Sequence, residues 1–446
     1  MRDGILSGVM SLPDRQLLRW LRPGMHVKRW LALMMLGVAI MGLGISYLLR
    51  EAYLAYTFPG AAYYLTLQFI PRPLRGLLFL ALSCWLLLTA VWKLNRSMLA
   101  PFLEPRGGDL IVDRIYNHHA RQRGPRIVAI GGGTGLSMLL RGLKAHTSNL
   151  TAVVTVADDG GSSGRLRREM GVLPPGDLRN CIAALAEAEP LMRDLFQYRF
   201  SEGSGLEGHS FGNLFIVAMS GVTGNFEEAL RATSRVLNVR GQIVPSTLAN
   251  VSLTALTEGG ERIHGESNIT HAGEPLRELF IEPADARAYP DAVQAIREAD
   301  MIVVGPGSLF TSILPNLLVH EIQAALHASE ALKVYVCNVA TQHGETDAFT
   351  VADHVRALER HLGQRVFHHV LANNNVSAAL PETWHSQPVV LNGAGGHEPR
   401  LVVSDVISEE NRYRHDPQKL ARALMQIYYG RSPSSMQSGV ETVDFV

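Results

Sequence analysis

Two stretches near the amino terminus are apolar without a break. From Trp30 to Leu49 no residue is charged, a length that can span a bilayer as a helix. A second uncharged run, Gly76 to Trp92, is shorter and reaches spanning length with Leu74 or Leu94. The bland alternative for each is a buried core helix. From Arg126 onward the pattern changes to short apolar runs alternating with helical stretches. Arg126–Ile130 reads as a buried strand, followed by a glycine turn and a helix from about Leu136. Thr151–Val156 reads as a strand and Ser210–Ser220 as a buried helix. Met301–Val304 reads as a strand, followed by a Gly-Pro-Gly turn and a helix through about Ser329. Lys333–Cys337 and Val366–Leu371 are further strands, and Asp416 to about Tyr429 is a closing helix. Strands alternating with helices predict an α/β protein, a parallel sheet with helices on both faces, preceded by a two-helix transmembrane hairpin.

This pattern divides the chain into a basic segment (1–29), the hairpin (30–93), a linker (94–125) broken by Pro101, Pro105, Gly107 and Gly108, a ligand-binding domain (126–431) and a polar, loose tail (432–446). Arg2, Arg15, Arg19, Arg22, Lys28 and Arg29 precede the first run, and Lys93, Arg96 and Arg106 follow the second. This bias places both ends inside and the main domain in the cytoplasm, on a cell-membrane protein with two spans. The apolar run begins late and no small-residue cleavage site follows it, so it does not read as a cleaved signal.

Charge narrows the function. Lys+Arg and Asp+Glu both number 41, which argues against a nucleic-acid partner. The three cysteines, Cys84, Cys181 and Cys337, form no metal or disulfide pattern and suit a reducing compartment.

The candidate chemistry lies in loops. Gly131-Gly132-Gly133-Thr134-Gly135-Leu136-Ser137 follows a strand and opens a helix, where backbone N–H groups and the helix dipole favour an anion. No Lys follows, so it is not a Walker loop. Leu136 stands where a dinucleotide fingerprint needs its last glycine, which weakens an oxidoreductase reading. A tight turn alone would also use these glycines. Asp158-Asp159 sits at the next strand's carboxyl end, where either carboxylate suits Mg²⁺ or a ribose hydroxyl. The donors Ser162, Ser163 and Arg165 follow. In Pro175-Gly176-Asp177-Leu178-Arg179-Asn180, Asp177 reads as a helix cap, which leaves Arg179 and Asn180 for an anion. His209 and Asn213 share a helix side at i, i+4, with Ser210 or His209 as the cap. Gly305-Pro306-Gly307-Ser308 repeats the first loop's design. Asn338 to Thr346, with Asn338, Thr341 and His343, follows another strand. Four polar loops at one sheet edge form a crevice. No nucleophile elbow is present, and no side chain stands out as nucleophile or general base.

As an ordered set, Gly131–Ser137, Thr155–Arg167, Pro174–Ala183, Phe196–Phe200, Gly208–Phe215, Gly305–Val319 and Val336–Thr346 resemble the gluconeogenesis-factor (YvcK-like) proteins. Those belong to the superfamily of 2-phospho-L-lactate transferase (CofD). The resemblance covers about residues 126–405 and implies a Rossmann-like parallel sheet. It also implies binding of a UDP-sugar such as UDP-N-acetylglucosamine, and a link to carbon flux into cell-wall precursors and to cell shape. The transferase branch implies Mg²⁺ and a nucleotide diphosphate-activated substrate. Asp158 and Asp159 fall on the superfamily's acidic pair and Gly131–Gly135 on its phosphate loop. His343 stands where the family usually has Pro, and the shorter members lack the hairpin.

The expectation is therefore a membrane-anchored nucleotide-sugar-binding regulatory protein, with no certain cofactor and no catalytic residue assigned. A Mg²⁺-dependent transferase is the alternative. A homo-oligomer is left open by the sequence.

Overall fold

The computed structural model describes residues 27–55, 60–65, 67, 69–99, 121–187, 190–271, 273–376, 385–391, 399–430 and 441–443. The chain divides into two compact units, Met1–His119 and Ala120–Val446.

In the first unit, helices span Val27–Ala55 and Arg72–Leu99, with the short helix Gly60–Leu65 between them. The second long helix runs beyond the predicted hairpin end into the predicted linker; the rest of that linker up to residue 120 lies outside the described residues. Leu36, Ile40, Leu43 and Leu48 on the first helix and Leu77, Leu80 and Trp85 on the second are exposed. Counted over the described residues, no single helix is long and apolar enough to cross a membrane.

The second unit is built on one sheet. Its strands are β1 (Ile127–Gly131), β2 (Leu150–Val154), β3 (Gln242–Pro245), β7 (Met301–Val304), β8 (Leu332–Val336), β9 (His369–Asn373), β10 (Arg400–Ser404) and β11 (Glu441–Val443). Their spatial order is β11-β10-β9-β8-β7-β1-β2-β3. All neighbours are parallel except β11, which pairs antiparallel with β10 and gives the tail an edge strand. β1, β7 and β8 are buried at every position, as expected where helices cover both faces. A smaller antiparallel sheet, in the order β5-β4-β6, uses β4 (Ser252–Thr257), β5 (Arg262–His264) and β6 (Leu276–Glu282).

Chain order reverses beside β1. The chain goes from β1 to β2 on one side, while β7 enters on the other in the register Ile127↔Met301 and Ile130↔Val304. The loops leaving β1 and β7 therefore lie side by side at the switch point on the carboxyl edge, where open α/β sheets carry their crevice. The helix after β1, Gly133–Leu143, packs between Gly176–Leu185 and Pro417–Tyr429. At Gly142 a Cβ would lie 2.0 Å from the Pro417 carbonyl oxygen, so that helix pair needs glycine there.

Several element boundaries move. The strand expected at Val366–Leu371 is β9, three residues later, and the helix after Gly133 starts a turn early. The helix expected from β7 to about Ser329 is broken into a π-helical turn (Leu309–Ile313), a short turn (Leu314–Leu317) and a helix (His320–Ala328). Pro315 removes one amide from the ladder.

Candidate functional site

The two glycine loops touch. A Cβ on Gly135 would lie 2.4 Å from the Pro306 carbonyl oxygen, so only glycine lets the loops approach this closely. Gly133 has φ +62°, a left-handed conformation that glycine adopts without a Cβ penalty. Gly132 stands as an extended N-cap with no side chain over the helix start, which leaves the first-turn amides of Thr134 and Gly135 without an intrahelical carbonyl. Asn338 binds the second loop at both backbone polar atoms of one residue: its Oδ1 accepts from Gly307 N at 3.2 Å and its Nδ2 donates to Gly307 O at 2.9 Å. Ser308 donates to Gln342 at 2.7 Å, and Gln342 in turn donates to the buried Glu345 at 3.3 Å.

These loops enclose a cavity of about 210 Å³. Gly132–Gly135, Gly307, Ser308 and Asn338 of the sequence candidates line it. Tyr413, Arg414 and His415 close the opposite wall; sequence reasoning did not single them out. His415 is buried, donates Nε2–H to the Cys337 carbonyl at 3.2 Å, and is pushed down to about 4 by that burial, so it stays neutral. Arg414 is exposed at the rim. A larger hollow of about 410 Å³ lies at the opposite, amino-terminal edge, among Arg126, Ile127, Asn149 and Gln242, and holds none of the candidate residues.

The other candidates serve different ends. Gly131 and Gly305 lie behind the cavity, where Gly131 O accepts from the buried Asn316 Nδ2 at 3.1 Å. Thr341 exchanges bonds with Gln387, at 2.7 Å from its amide and 2.9 Å to its hydroxyl. His343 is exposed beside Asp347. Asp159 accepts from Glu266 N and Ser267 N, each at 2.9 Å, and from Ser267 Oγ at 2.7 Å, tying the loop after β2 to the smaller sheet. Three bonds to one carboxylate make it a fastening. Asp159→Ala is expected to lower unfolding stability by roughly 2–4 kcal/mol in urea titration.

Asp158 accepts from Gly160 N at 3.0 Å and from Ser163, and its carboxyl is raised by burial. Asp177 is not the cap expected: Pro175 holds that position, and Asp177 is carried one residue into the helix Gly176–Leu185. Fully buried there, it accepts from Gly133 N and is pushed up to about 7 by burial first, then by Asp158. Burial first, then Asp158, Asp159, Glu345 and Asp177, push Glu266 up to about 8. Among the described residues no group of three His, Cys, Asp or Glu side chains is placed to hold a metal ion. A Mg²⁺ ion shared with ligand phosphates needs only one or two carboxylates, and Asp158, with bonds from Gly160 and Ser163, keeps more acceptor capacity than Asp159 with its three bonds.

Ser162, His209 and Asn213 form a separate buried group: Asn213 Nδ2 donates to Ser162 Oγ at 3.0 Å, and Ser162 Oγ lies 2.9 Å from His209 Nδ1. Ser210 caps the helix Phe211–Thr223. Arg165, Arg179 and Asn180 lie near this group, outside the cavity.

A doubly wound sheet with a glycine loop and a helix start at its switch point defines a Rossmann-like α/β protein. Comparison with known proteins narrows this. Residues 127–403 match the family model described as 2-phospho-L-lactate transferase CofD. A putative gluconeogenesis factor of Nostoc sp. is 47% identical over 435 residues, covering 93% of each chain. The gluconeogenesis factor of Bacillus subtilis is 45% identical over 316 residues, covering 68% of this chain and 98% of its own. A crystal structure of a UPF0052-family protein from Bacillus halodurans, 42% identical, superposes with a TM-score of 0.63 over 68% of this chain and 99% of its own. The chain belongs to the gluconeogenesis-factor (YvcK-like) family within the CofD superfamily.

Proposed function

We propose that this chain is a membrane-anchored regulatory protein that binds a nucleotide sugar such as UDP-N-acetylglucosamine and couples cell-wall precursor supply to carbon flux and cell shape. One observation carries the reading: Thr134 and Gly135, whose amides have no intrahelical carbonyl, the Gly307–Ser308 loop, Asn338 and Arg414 all line one cavity. A diphosphate meets backbone N–H groups and a helix N-terminus on one wall and a guanidinium on the other. The sugar or base meets Tyr413 and the neutral His415. Anchoring is supported by the exposed apolar side chains along two helices of 29 and 28 residues, a surface that lipid would cover. The main unit then faces the cytoplasm.

Calorimetric titration of the full chain with UDP-N-acetylglucosamine, GDP and NAD tests the ligand. Saturable UDP-sugar binding without turnover is expected; preference for NAD would contradict it. Arg414→Gln should weaken binding about tenfold and reduce its salt dependence. Asp158→Ala tests whether that carboxylate belongs to the ligand site, because unchanged affinity would remove it.

A second reading, a transferase acting on a nucleotide diphosphate-activated substrate, draws on the family model and on Asp158, which acts through space on Asp177, the acceptor of the Gly133 amide. A magnesium ion held by Asp158 and phosphate oxygens would offset charge on the leaving diphosphate. Mg²⁺-dependent release of GMP or GDP from an activated phospholactate would establish it and exclude the purely regulatory role.

A further inference from the structure

Three arginines and a histidine stand together outside the nucleotide-sugar cavity. Arg165 donates to the Glu207 carbonyl at 2.7 Å, Arg199 to the Gly208 carbonyl, and Arg179 to the Asn180 carboxamide oxygen at 2.9 Å. Each guanidinium thus ends on a neutral oxygen, and among the described residues no carboxylate pairs with any of them. Asp177, Asp158 and Glu169 act on the group only through space. Arg179 is 8% exposed, its stem lies against Gly212, and its Nε is buried with no partner. A buried cation without a counter-ion is costly unless an anion joins it. Burial and Arg199 push Arg179 below its ordinary value, and burial followed by Arg165 does the same to His209. Ser162 Oγ accepts from Asn213 Nδ2 and lies 2.9 Å from His209 Nδ1, which fixes the imidazole in place beside the arginines.

We infer that Arg165, Arg179, Arg199 and His209 form a second anion subsite, distinct from the glycine-loop cavity, that takes a phosphate or carboxylate group of a small metabolite. The exposed Arg199 and half-buried Arg165 admit the anion, and Arg179 meets it from beneath. The inference holds whether or not the cavity takes a nucleotide sugar.

The test is titration of the full chain with inorganic phosphate, followed by phosphorus NMR, for the natural protein, Arg165→Gln/Arg199→Gln and Arg414→Gln. The double exchange, at surface-accessible positions that leave the core untouched, should weaken phosphate binding by about tenfold or more. Arg414→Gln, in the cavity wall, should leave it within about twofold. Loss in Arg414→Gln alone, equal loss in both variants, or no saturable phosphate binding at all would overturn the inference. UDP-N-acetylglucosamine binding by the same three proteins reports separately on the cavity.

Discussion

Replacing Gly135 with alanine should lower affinity for the nucleotide sugar by more than about a hundredfold while leaving the sheet folded. The added methyl carbon would stand 2.4 Å from the Pro306 carbonyl oxygen and 2.7 Å from its carbon, so backbone must move. The cheapest movement separates the loop after β1 from the loop after β7. That separation disperses the amides of Thr134 and Gly135 from the Gly307–Ser308 wall. An anion that had several converging donors keeps one or two, and charge-assisted bonds of about 1.5–3 kcal/mol each are lost. Calorimetry gives the affinity, and circular dichroism confirms that the strands remain. Binding within about threefold of the natural protein would mean that the two loops do not share a ligand.

The second large effect is on stability against pH. Asp177 and Glu345 are pushed up to about 7, and Glu266 to about 8, with burial the largest cause in each. Their folded values lie above their unfolded ones, so the folded chain binds more protons. Their contribution is full below the unfolded value and is lost as pH rises through about 7 to 8. Histidines run the other way: burial lowers His354 and pushes His415 down to about 4, so stability falls as pH drops below the ordinary histidine value. Asp300, Asp353 and Asp405, held low by Arg126, Thr350 and Lys419, lose their contributions only in stronger acid. The ligand-free protein should therefore be most stable near pH ~6 and lose roughly 3 kcal/mol on going to pH ~9. Urea denaturation across that range measures it. Asp177→Asn with Glu345→Gln should flatten the alkaline limb; a limb of unchanged slope would show that these carboxylates ionise freely.

Legibility in the sequence followed burial. β1 and β7 are buried at every position, so each reads as an unbroken apolar run beside a glycine loop, while β2 and β8 are interrupted only by Thr151 and Lys333. The smaller sheet went unread. β5 has only three residues, and β4, SLTALT, mixes polar and apolar positions as a strand that contacts both core and loop must. β6 did carry a period-two signal, Leu279 and Ile281 buried against exposed Phe280 and Glu282. Asp177 shows the opposite failure. Its local signal, an acid after Pro-Pro-Gly, described a cap, while tertiary contact with Gly133, more than forty residues earlier, sets its role. Tyr413-Arg414-His415 looks like a solvated turn, since nothing local reveals that the chain after β10 returns to face the loop after β1. The apparent unity of the candidate residues also misled: Ser162, Arg165, Arg179 and His209 gather around their own polar group, apart from the glycine loops.

Amide hydrogen exchange of the full chain, with and without UDP-N-acetylglucosamine, addresses the shared cavity most directly. Slowed exchange is expected in the segments containing Thr134–Gly135, Gly307–Ser308, Asn338–Gln342 and Tyr413–His415 together, with the amino-terminal edge of the sheet unchanged. Protection confined to the hollow around Asn149 and Gln242, or no protection at Thr134 and Gly135 in a protein saturated with the ligand, would contradict it.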